Sequence, residues 1–517
     1  MASGENAVRV QPERRAIARI ASGIAVAACS GVAANLAFPP YDLWWLIFVA
    51  FIPLAIAQHR IMPQAWSPLA PAVALSVYYF GQLSAGLSQG HAPLVVQLWP
   101  AYVAVLLALL FLPGRRFHAR TGYRWLWLSF PIAWTAIDAA RAFSGIDVFA
   151  GTWGNVAYAL YEQAWLLQPL SIFGLFGAEL LILLINFALA AVLIAALDWR
   201  WPPRATPSLH PGTALSASAA VAALAAGWVA LSLALYAPQP GTLRVATVQA
   251  NAPLDAEEEL QRMISATREL GGRGVRMVVW REGGVRFDPL RERTGAFTEL
   301  AREMDAYIAI GYRVVEPSGV RRNEAVVFSP TGEIFGPYGK DHPGRFAGDH
   351  SDTGGTYPVY DTAIGPIATI ICYDLDFTDT AREMARRGAA FVAVPSNDVP
   401  GIAATHYTHL VFRAIENGFP LAKADSLYAS AIIDRDGRIL ARSVNVFSAS
   451  EARSVAEARS LPPQTLIADV APGGGQTILT RFGDWVGWLA IILAVPFAAA
   501  PCIAGLRRLF GRRATNA

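Results

Sequence analysis

Long apolar stretches constrain this chain more than any other feature of its sequence. A helix that crosses a bilayer needs about 20 mostly apolar residues. Stretches of this kind cover roughly residues 17–37, 42–57, 68–87, 94–113, 124–141, 168–197, 214–236 and, near the carboxyl terminus, 484–506. Charged residues make up only 16% of the chain, whereas soluble domains carry about 25%. The sequence therefore predicts a multi-pass α-helical membrane protein with about seven helices before residue 240.

The basic residues of the connections predict the orientation of these helices. Several arginines stand before the first stretch, after the fourth and sixth, and at the carboxyl terminus, and Arg60 follows the second; the alternate connections are nearly free of arginine. Short cytoplasmic loops of membrane proteins are enriched in Lys and Arg. We therefore expect both termini in the cytoplasm and the segment after the seventh helix on the opposite side. The net charge of +3 gives no reason to expect a nucleic-acid partner.

The segment after the seventh helix has a different composition. It is charged and alternates strand patterns with helix patterns, including predicted strands at Leu243–Gln249, Met277–Trp280, Ile367–Tyr373 and Phe391–Pro395. Such alternation predicts a layered α/β domain. We expect a helical membrane domain over residues 1–240, this α/β domain over 241–472, and a last membrane helix with a basic tail over 473–517.

Three polar residues stand where predicted strands or hairpins end. Glu282 follows the run MVVW, Lys340 follows a predicted hairpin, and Cys372 ends the run IATIIC. A deprotonated thiol is an effective acyl nucleophile, and a carboxylate can accept its proton. An ammonium group can lower the thiol pKa and stabilise an oxyanion. Each residue alone has an ordinary structural explanation, but together they predict an acyl-transfer site that needs no metal.

Other candidate residues have weaker support. The three cysteines, Cys29, Cys372 and Cys502, form neither a disulfide framework nor a zinc-site spacing. His406 and His409 stand three apart on a predicted helix, a spacing that can suit a metal. No third ligand lies near them in the sequence, so packing of the helix face is the favoured explanation. Lys423 is expected to form a salt bridge.

The order and surroundings of Glu282, Lys340 and Cys372 resemble the carbon–nitrogen hydrolase (nitrilase) superfamily. The matching patterns are W-x-E, Y-x-K and I-C-Y-D around these residues, together with Val248-Gln249, Ser396-Asn397-Asp398 and residues 413–417 (RAIEN). Residues 38–42 (FPPYD), 131–141 and Gly177-Ala178-Glu179 resemble motifs of apolipoprotein N-acyltransferases. The resemblance to that family extends over nearly the whole chain.

This resemblance implies a fold, a reaction and a location. The fold is a multi-pass membrane domain plus a nitrilase-like α-β-β-α sandwich. Glu282 is the base, Lys340 the oxyanion stabiliser and Cys372 the nucleophile, with no cofactor. The acyl chain passes from a membrane phospholipid through a thioester to the amine of a diacylglyceryl-cysteine lipoprotein, at the outer face of the bacterial cell (inner) membrane. Supporting or substrate-binding roles are implied for Asp349, Tyr373, Asp374, Asn397, Asp398 and Glu416.

Two other functions remain open from the sequence. A membrane-tethered amidase that hydrolyses a small amide is favoured by the short segment between Lys340 and Cys372, which is typical of soluble nitrilases. The preceding apolar helices and their motifs disfavour it. A non-enzymatic membrane scaffold or transporter is disfavoured by the intact set of Glu282, Lys340 and Cys372.

Overall fold

The amino-terminal part of the chain folds into helices, as its apolar stretches predict. The computed structural model describes residues 2–87, 114–145, 151–203, 206–249, 255–345, 348–398, 400–426, 429–443 and 464–497. Helices in the first part are α1 (Ala2–Asn35), α2 (Ile52–Ile56), α3 (Leu69–Leu87), α4 (Gly114–Arg120), α5 (Leu126–Phe143), α6 (Ala164–Leu167), α7 (Leu170–Arg200) and α8 (Pro211–Leu235). Buried side chains of α1, α3, α5 and α7 share one apolar core.

Four segments of the described chain are long and apolar enough to cross a membrane. They are Arg14–Asn35, Trp44–Ile61, Leu170–Arg200 and Pro211–Leu235, and each coincides with a predicted stretch. Helices α3 and α5 occupy the predicted stretches 68–87 and 124–141, and that they cross the bilayer stays a prediction. The predicted stretch 94–113 lies outside the described residues. Near the carboxyl terminus, α15 (Trp485–Phe497) is a shorter apolar helix within the predicted stretch 484–506.

The predicted helix at 42–57 is broken in the structure. Its residues form a 3₁₀ turn (Trp44–Phe48), helix α2 and a π turn (Ala57–Ile61). The side chain of Asn186 on α7 accepts a hydrogen bond from Phe51 N at 2.9 Å and donates one to Ile47 O at 2.8 Å. Irregular backbone inside a membrane requires such partners because lipid supplies none. The tertiary contact with Asn186 therefore overrides the apolar pattern that predicts a continuous helix.

The second part of the chain forms two six-stranded sheets. Its strands are β1 (Leu243–Gln249), β2 (Met277–Trp280), β3 (Tyr307–Val315), β4 (Arg321–Phe328), β5 (Ile334–Gly339), β6 (Val359–Tyr360), β7 (Ile367–Thr369), β8 (Phe391–Pro395), β9 (Leu421–Ala424), β10 (Ala431–Ile433), β11 (Ile439–Arg442) and β12 (Gln464–Val470). The strand orders are β12-β1-β2-β3-β4-β5 and β11-β10-β9-β8-β7-β6. The centre of each sheet is parallel: β1, β2 and β3 in the first, β7, β8 and β9 in the second.

Helices cover the outer face of each sheet. The helices of this part are α9 (Ala256–Arg268), α10 (Thr294–Met304), α11 (Thr378–Arg386), α12 (Pro400–His406), α13 (Thr408–Asn417) and α14 (Ile478–Phe482). Helices α9 and α10 pack on the first sheet, and α11 and α13 pack on the second. The two sheets enclose a separate apolar core between them. The predicted fold class, a helical membrane region plus an α-β-β-α sandwich, is confirmed.

The layer formed by α11 and α13 also joins the sandwich to the helical region, because their buried residues belong to the same apolar core as those of α7. Within α7 the backbone of Gly174 leaves the helical conformation, with φ 65° and ψ −176°. The Glu416 side chain on α13 accepts a hydrogen bond from Leu175 N, directly after this break, at 2.8 Å. The sandwich therefore caps the longer section of a membrane helix.

Candidate active site

The structure brings Glu282 and Lys340 together at one edge of the first sheet. Glu282 follows β2 and Lys340 follows β5, and their side chains are 1% and 3% exposed. Lys340 Nζ donates a hydrogen bond to Glu282 Oε1 at 3.0 Å. Because β1, β2 and β3 are parallel, their carboxyl ends lie at the same end of the sheet. Glu282, which follows β2, therefore lies near the end of β3 and the start of β4. This edge holds a buried ion pair.

Two side chains that the sequence analysis did not single out complete the surroundings of Glu282. Arg313 on β3 donates to Glu282 Oε1 at 2.8 Å, and Asn323 on β4 donates to the same oxygen at 2.6 Å. Burial raises the pKa of Glu282, but the charges of Lys340 and Arg313 and the Asn323 hydrogen bond outweigh it and lower the pKa to about 2. Glu282 is therefore ionised at neutral pH.

Asp349 forms the other side of the same cluster. Its Oδ2 accepts hydrogen bonds from Lys340 Nζ at 3.0 Å and from Asn323 Nδ2 at 2.8 Å, and its Oδ1 accepts one from Ser351 Oγ at 2.7 Å. Lys340 thus lies between two carboxylates. Burial lowers the pKa of Lys340, but the negative charges of Glu282 and Asp349 outweigh burial and raise the pKa above its ordinary value, so the ammonium stays protonated.

Cys372 occupies a turn rather than the end of a strand. The sequence predicts a strand over Ile367–Tyr373, whereas β7 ends at Thr369 and a 3₁₀ turn runs from Cys372 to Asp376. The backbone φ of Cys372 is 46°, a left-handed conformation that non-glycine residues rarely adopt. Strained residues of this kind are concentrated at functional sites.

The thiol of Cys372 is only 8% exposed. Burial raises its pKa well above the ordinary value, the negative charge of Glu282 raises it further, and the Lys340 charge opposes the shift. The backbone N–H of Asn397 also stabilises the thiolate. The resting site therefore holds a protonated thiol close to an ionised carboxylate. Glu282 Oε2 is buried and has no hydrogen-bond partner among the described residues, so one oxygen remains free to accept a proton.

Asp374 and Tyr373 hold the turn in place from two sides. Asp374 accepts hydrogen bonds from the backbone N–H groups of Ile371 and His342, each at 2.8 Å, and from Tyr338 Oη at 2.7 Å. Burial raises the pKa of Asp374 to about 6 against these stabilising contacts. Tyr373 packs with Trp153 from the helical region. The turn that carries Cys372 thus has supports from both parts of the chain.

Two more of the predicted supporting residues, Asn397 and Asp398, lie next to Cys372. Asp398 Oδ1 is 3.7 Å from the Cys372 sulfur, and Asp398 Oδ2 accepts a hydrogen bond from Lys423 at 2.7 Å, so the predicted salt bridge of Lys423 is present. Asn397 Oδ1 accepts a hydrogen bond from Ser426 Oγ at 2.6 Å. Glu416, in contrast, accepts a hydrogen bond from the α7 backbone and forms an ion pair with Arg413. It therefore lies at the junction between the sandwich and the membrane helix.

The two helical histidines lie beside a carboxylate that is distant from them in the sequence. No third ligand lies near His406 and His409 in the sequence, but the turn after Cys372 places Asp376 beside both of them. The sequence shows the spacing of the two histidines but not their third neighbour, because Asp376 is distant from both of them along the chain. Arg313 and Asn323 were missed for a similar reason. They stand directly opposite each other on β3 and β4, and only the strand register shows that both reach Glu282.

Two family models match the chain. The carbon-nitrogen hydrolase model matches residues 244–449, and the apolipoprotein N-acyltransferase N-terminal domain model matches residues 30–188. An apolipoprotein N-acyltransferase of Geobacter metallireducens is 26% identical, with 92% of this chain and 94% of that protein covered. One of Gloeobacter violaceus is 24% identical, with 98% and 97% covered. These similarities include both the helical region and the sandwich.

Similarity to amidases covers a smaller part of the chain. An omega-amidase of Homo sapiens is 25% identical, with 43% of this chain and 93% of that protein covered. A crystal structure of an amidase from Nesterenkonia sp. is 20% identical, covers 49% of this chain and 98% of its own, and has a TM-score of 0.39.

Proposed function

Because the chain belongs to the apolipoprotein N-acyltransferase family, within the carbon–nitrogen hydrolase superfamily, we propose that it is a membrane N-acyltransferase. Its acyl donor is a membrane phospholipid, and its acceptor is the N-terminal amine of a diacylglyceryl-cysteine lipoprotein. One observation carries the proposal: a buried Cys372, held in a strained turn within electrostatic reach of Glu282 and Lys340, belongs to a domain that packs on membrane helices. Both proposed substrates are anchored in a bilayer, so an enzyme whose catalytic domain packs on membrane helices can reach them.

The first step is acylation of Cys372. Glu282 takes the thiol proton as the sulfur attacks the ester carbonyl of the phospholipid, because the raised thiol pKa makes prior ionisation unfavourable. A carbon–sulfur bond forms, and the ammonium of Lys340 stabilises the negative charge on the carbonyl oxygen. Collapse of the tetrahedral intermediate breaks the ester carbon–oxygen bond. The proton held by Glu282 goes to the leaving alkoxide, which departs as a lysophospholipid.

The second step transfers the acyl group to nitrogen. The lipoprotein amine attacks the thioester carbonyl, a carbon–nitrogen bond forms and the carbon–sulfur bond breaks. Glu282 removes the extra proton of the amine and returns it to the departing sulfur, which restores the starting thiol. Asn323 donates a hydrogen bond to Glu282, and Asp349 accepts one from Lys340. Asn323 also donates to Asp349, so the two side chains together keep Glu282 and Lys340 in place during both steps.

The chain divides into three functional regions in this account. Residues 1–240 form the membrane domain, residues 241–472 the catalytic domain, and residues 473–517 the last helix and tail. The arginine distribution supports a catalytic domain outside the cytoplasm, with both termini inside, in the inner membrane of a bacterial cell.

A direct test follows transfer between defined lipids. The chain, purified in detergent, is incubated with a phospholipid that carries one isotope-labelled acyl chain and with a synthetic diacylated lipopeptide. We expect the labelled acyl chain on the lipopeptide amine, detected by mass spectrometry, and no transfer by Cys372→Ala. The amidase alternative predicts a different product. Labelled fatty acid without acylated lipopeptide, or hydrolysis of small amides without any transfer, would contradict an acyltransferase.

A further inference from the structure

A buried cluster of three metal-ligand side chains lies behind the turn of Cys372. Asp376 belongs to this turn, His406 ends α12 and His409 lies on α13, and they are 0%, 1% and 2% exposed. Four of their polar atoms have no hydrogen-bond partner among the described residues: Asp376 Oδ1 and Oδ2, His406 Nε2 and His409 Nδ1. Burying an unsatisfied polar atom costs about 1–3 kcal/mol. Such a concentration of unsatisfied atoms at one point requires a cause.

These four atoms face one another. His409 Nδ1 is 2.5 Å from Asp376 Oδ1, and His406 Nε2 is 3.6 Å from Asp376 Oδ2. The ligand atoms of the three residues all lie within 4.8 Å of one another. The His409–Asp376 contact is within ion-pair distance but lacks the alignment of a hydrogen bond, and the His406–Asp376 contact is longer than a hydrogen bond. This arrangement is typical of side chains directed at a common centre.

The other nitrogen of His406 has a firm partner. His406 Nδ1 lies 2.6 Å from Asp398 Oδ1, which also accepts a hydrogen bond from Ser396 Oγ at 3.0 Å. A histidine that binds a metal usually donates its second ring N–H to a carboxylate, which fixes the ring and directs the free nitrogen at the ion. Asp398 and His406 form this pair.

We propose that Asp376, His406 and His409 bind a divalent transition-metal ion of the Zn²⁺ class. Two imidazoles and one carboxylate are ligands that Zn²⁺ accepts, with water in the fourth position. Tetrahedral ligands about 2.1 Å from zinc stand about 3.4 Å apart, so binding separates Asp376 Oδ1 from His409 Nδ1. Trp153 packs against both imidazole rings, and Tyr158 stacks on His409 with ring centroids 3.9 Å apart.

The ion has a structural consequence for the nucleophile. It ties the turn that starts at Cys372 to helices α12 and α13, and through His406 it fixes Asp398, whose Oδ1 is 3.7 Å from the Cys372 sulfur. Cys372, Asp398 and His406 also lie within ligand distance of one another. In that group, however, the facing atoms of Asp398 and His406 already bond to each other. The atoms of Asp376, His406 and His409 that face one another have no such bonds, so these three residues are the favoured ligand set.

The test measures metal content of the full chain. The protein is purified in detergent with a histidine-free affinity tag, stripped with a chelator, dialysed against buffered Zn²⁺ and analysed by plasma mass spectrometry. We expect one equivalent of zinc in the wild type, and loss of more than about tenfold in zinc affinity for His409→Ala and Asp376→Asn. His342→Ala is the matched control, because His342 is not one of the three proposed ligands. Its Nε2 lies 3.2 Å from Asp379 Oδ1, and this variant should retain zinc.

Two further measurements separate the ligand sets and the effect of misfolding. Cys372→Ala should retain zinc, and Co²⁺-loaded wild type should show visible bands of a tetrahedral site without cobalt–thiolate absorption. If His409→Ala fails to fold, the wild type alone decides, since its thermal unfolding temperature should rise when Zn²⁺ is restored. Wild type that takes up no zinc would overturn the proposal. Zinc loss in Cys372→Ala, or equal loss in His342→Ala, would also overturn it.

Discussion

At the scale of single residues, the chemistry depends on how one carboxylate is surrounded. Glu282 Oε1 receives three donors, from Arg313, Asn323 and Lys340, while its Oε2 is free of partners among the described residues. The crowded oxygen keeps the group ionised, and the free oxygen is available for the thiol proton. In the proposed mechanism, one oxygen of Glu282 is thus held by hydrogen bonds and the other one accepts the proton.

Asn323 offers the sharpest residue test, because it bonds to both Glu282 and Asp349. Asn323→Leu keeps the size of the side chain and removes both hydrogen bonds to carboxylates, each worth about 1.5–3 kcal/mol. We expect kcat/KM for acyl transfer to fall by roughly tenfold to a hundredfold. Ser351→Ala, which removes a bond to Asp349 only, should cost less. An Asn323→Leu enzyme as active as wild type would contradict this role.

The raised pKa of Cys372 predicts how its reactivity depends on pH. The group is a thiol below its folded-state pKa, so alkylation by iodoacetamide, followed by peptide mass spectrometry, should be slow at neutral pH. It should still accelerate with pH beyond the ordinary cysteine range. Lys340→Met removes a charge that favours the thiolate, and therefore should raise the pKa further and slow alkylation. Faster alkylation in Lys340→Met, or a plateau near neutral pH, would show that the thiolate is already formed.

The three proposed catalytic residues could be predicted from the sequence, but the side chains that contact them could not. Glu282, Lys340 and Cys372 stand out in the sequence because polar residues directly follow apolar runs or a hairpin, and lysine is rare in this chain. Arg313 and Asn323 lie within strands, where an outward-facing charge is common. Their contact with Glu282 depends on β3 pairing with β2 and β4 in one register, which local patterns do not specify.

At the scale of elements, two breaks in the membrane helices have identifiable causes. The break at 44–61 is stabilised by the side chain of Asn186, and the break in α7 occurs at Gly174 and is capped by Glu416. The apolar periodicity of both stretches predicts continuous helices, because periodicity carries no information about a partner from another element. The strand before Cys372 ends earlier than its apolar run predicts, at Thr369, and Tyr338 and His342 hold the turn that follows through hydrogen bonds to Asp374.

Gly174→Ala tests the break in α7. Gly174 has φ 65°, and an added Cβ would lie 2.8 Å from Leu479 Cδ1 on α14. We expect a loss of about 1–3 kcal/mol in the free energy of unfolding, because the conformation is nearly exclusive to glycine. The measurement is thermal unfolding in detergent.

Gly227→Ala on α8 is the matched control for this change. An added Cβ there meets no atom within 4 Å, and the residue lies inside a helix. Alanine is the better helix former, so this variant should be as stable as wild type or slightly more so. Equal destabilisation by both substitutions would mean that the break at Gly174 is not required.

At the scale of the whole molecule, both parts of the chain contribute to the surroundings of the proposed active site. Thr152 Oγ1 donates to Asp376 O at 2.7 Å, and Trp153 packs on Tyr373. The residues that follow α5 therefore contact the turn that carries Cys372. Composition and apolar stretches predicted a membrane region and an α/β domain as separate units. Their shared apolar core could not be predicted, because it depends on contacts between residues distant in the chain.

The proposed orientation can be checked by labelling engineered cysteines. Ser318 is exposed in the turn between β3 and β4, and Ser208 is exposed between α7 and α8. A membrane-impermeant maleimide added to spheroplasts should label Ser318→Cys, and should label Ser208→Cys only after permeabilisation. The unaltered chain supplies the background from its native cysteines. The reverse pattern would place the catalytic domain in the cytoplasm.

The thioester on Cys372 is the central claim, and intact-protein mass spectrometry tests it most directly. The chain is incubated with a phospholipid of one defined acyl composition and no acceptor, and the modified peptide is then mapped. We predict a mass gain of a single acyl group on Cys372 that hydroxylamine removes, and that is absent in Cys372→Ala and strongly reduced in Glu282→Gln. An acyl group on another residue, or acyl transfer that survives Cys372→Ala, would contradict the account.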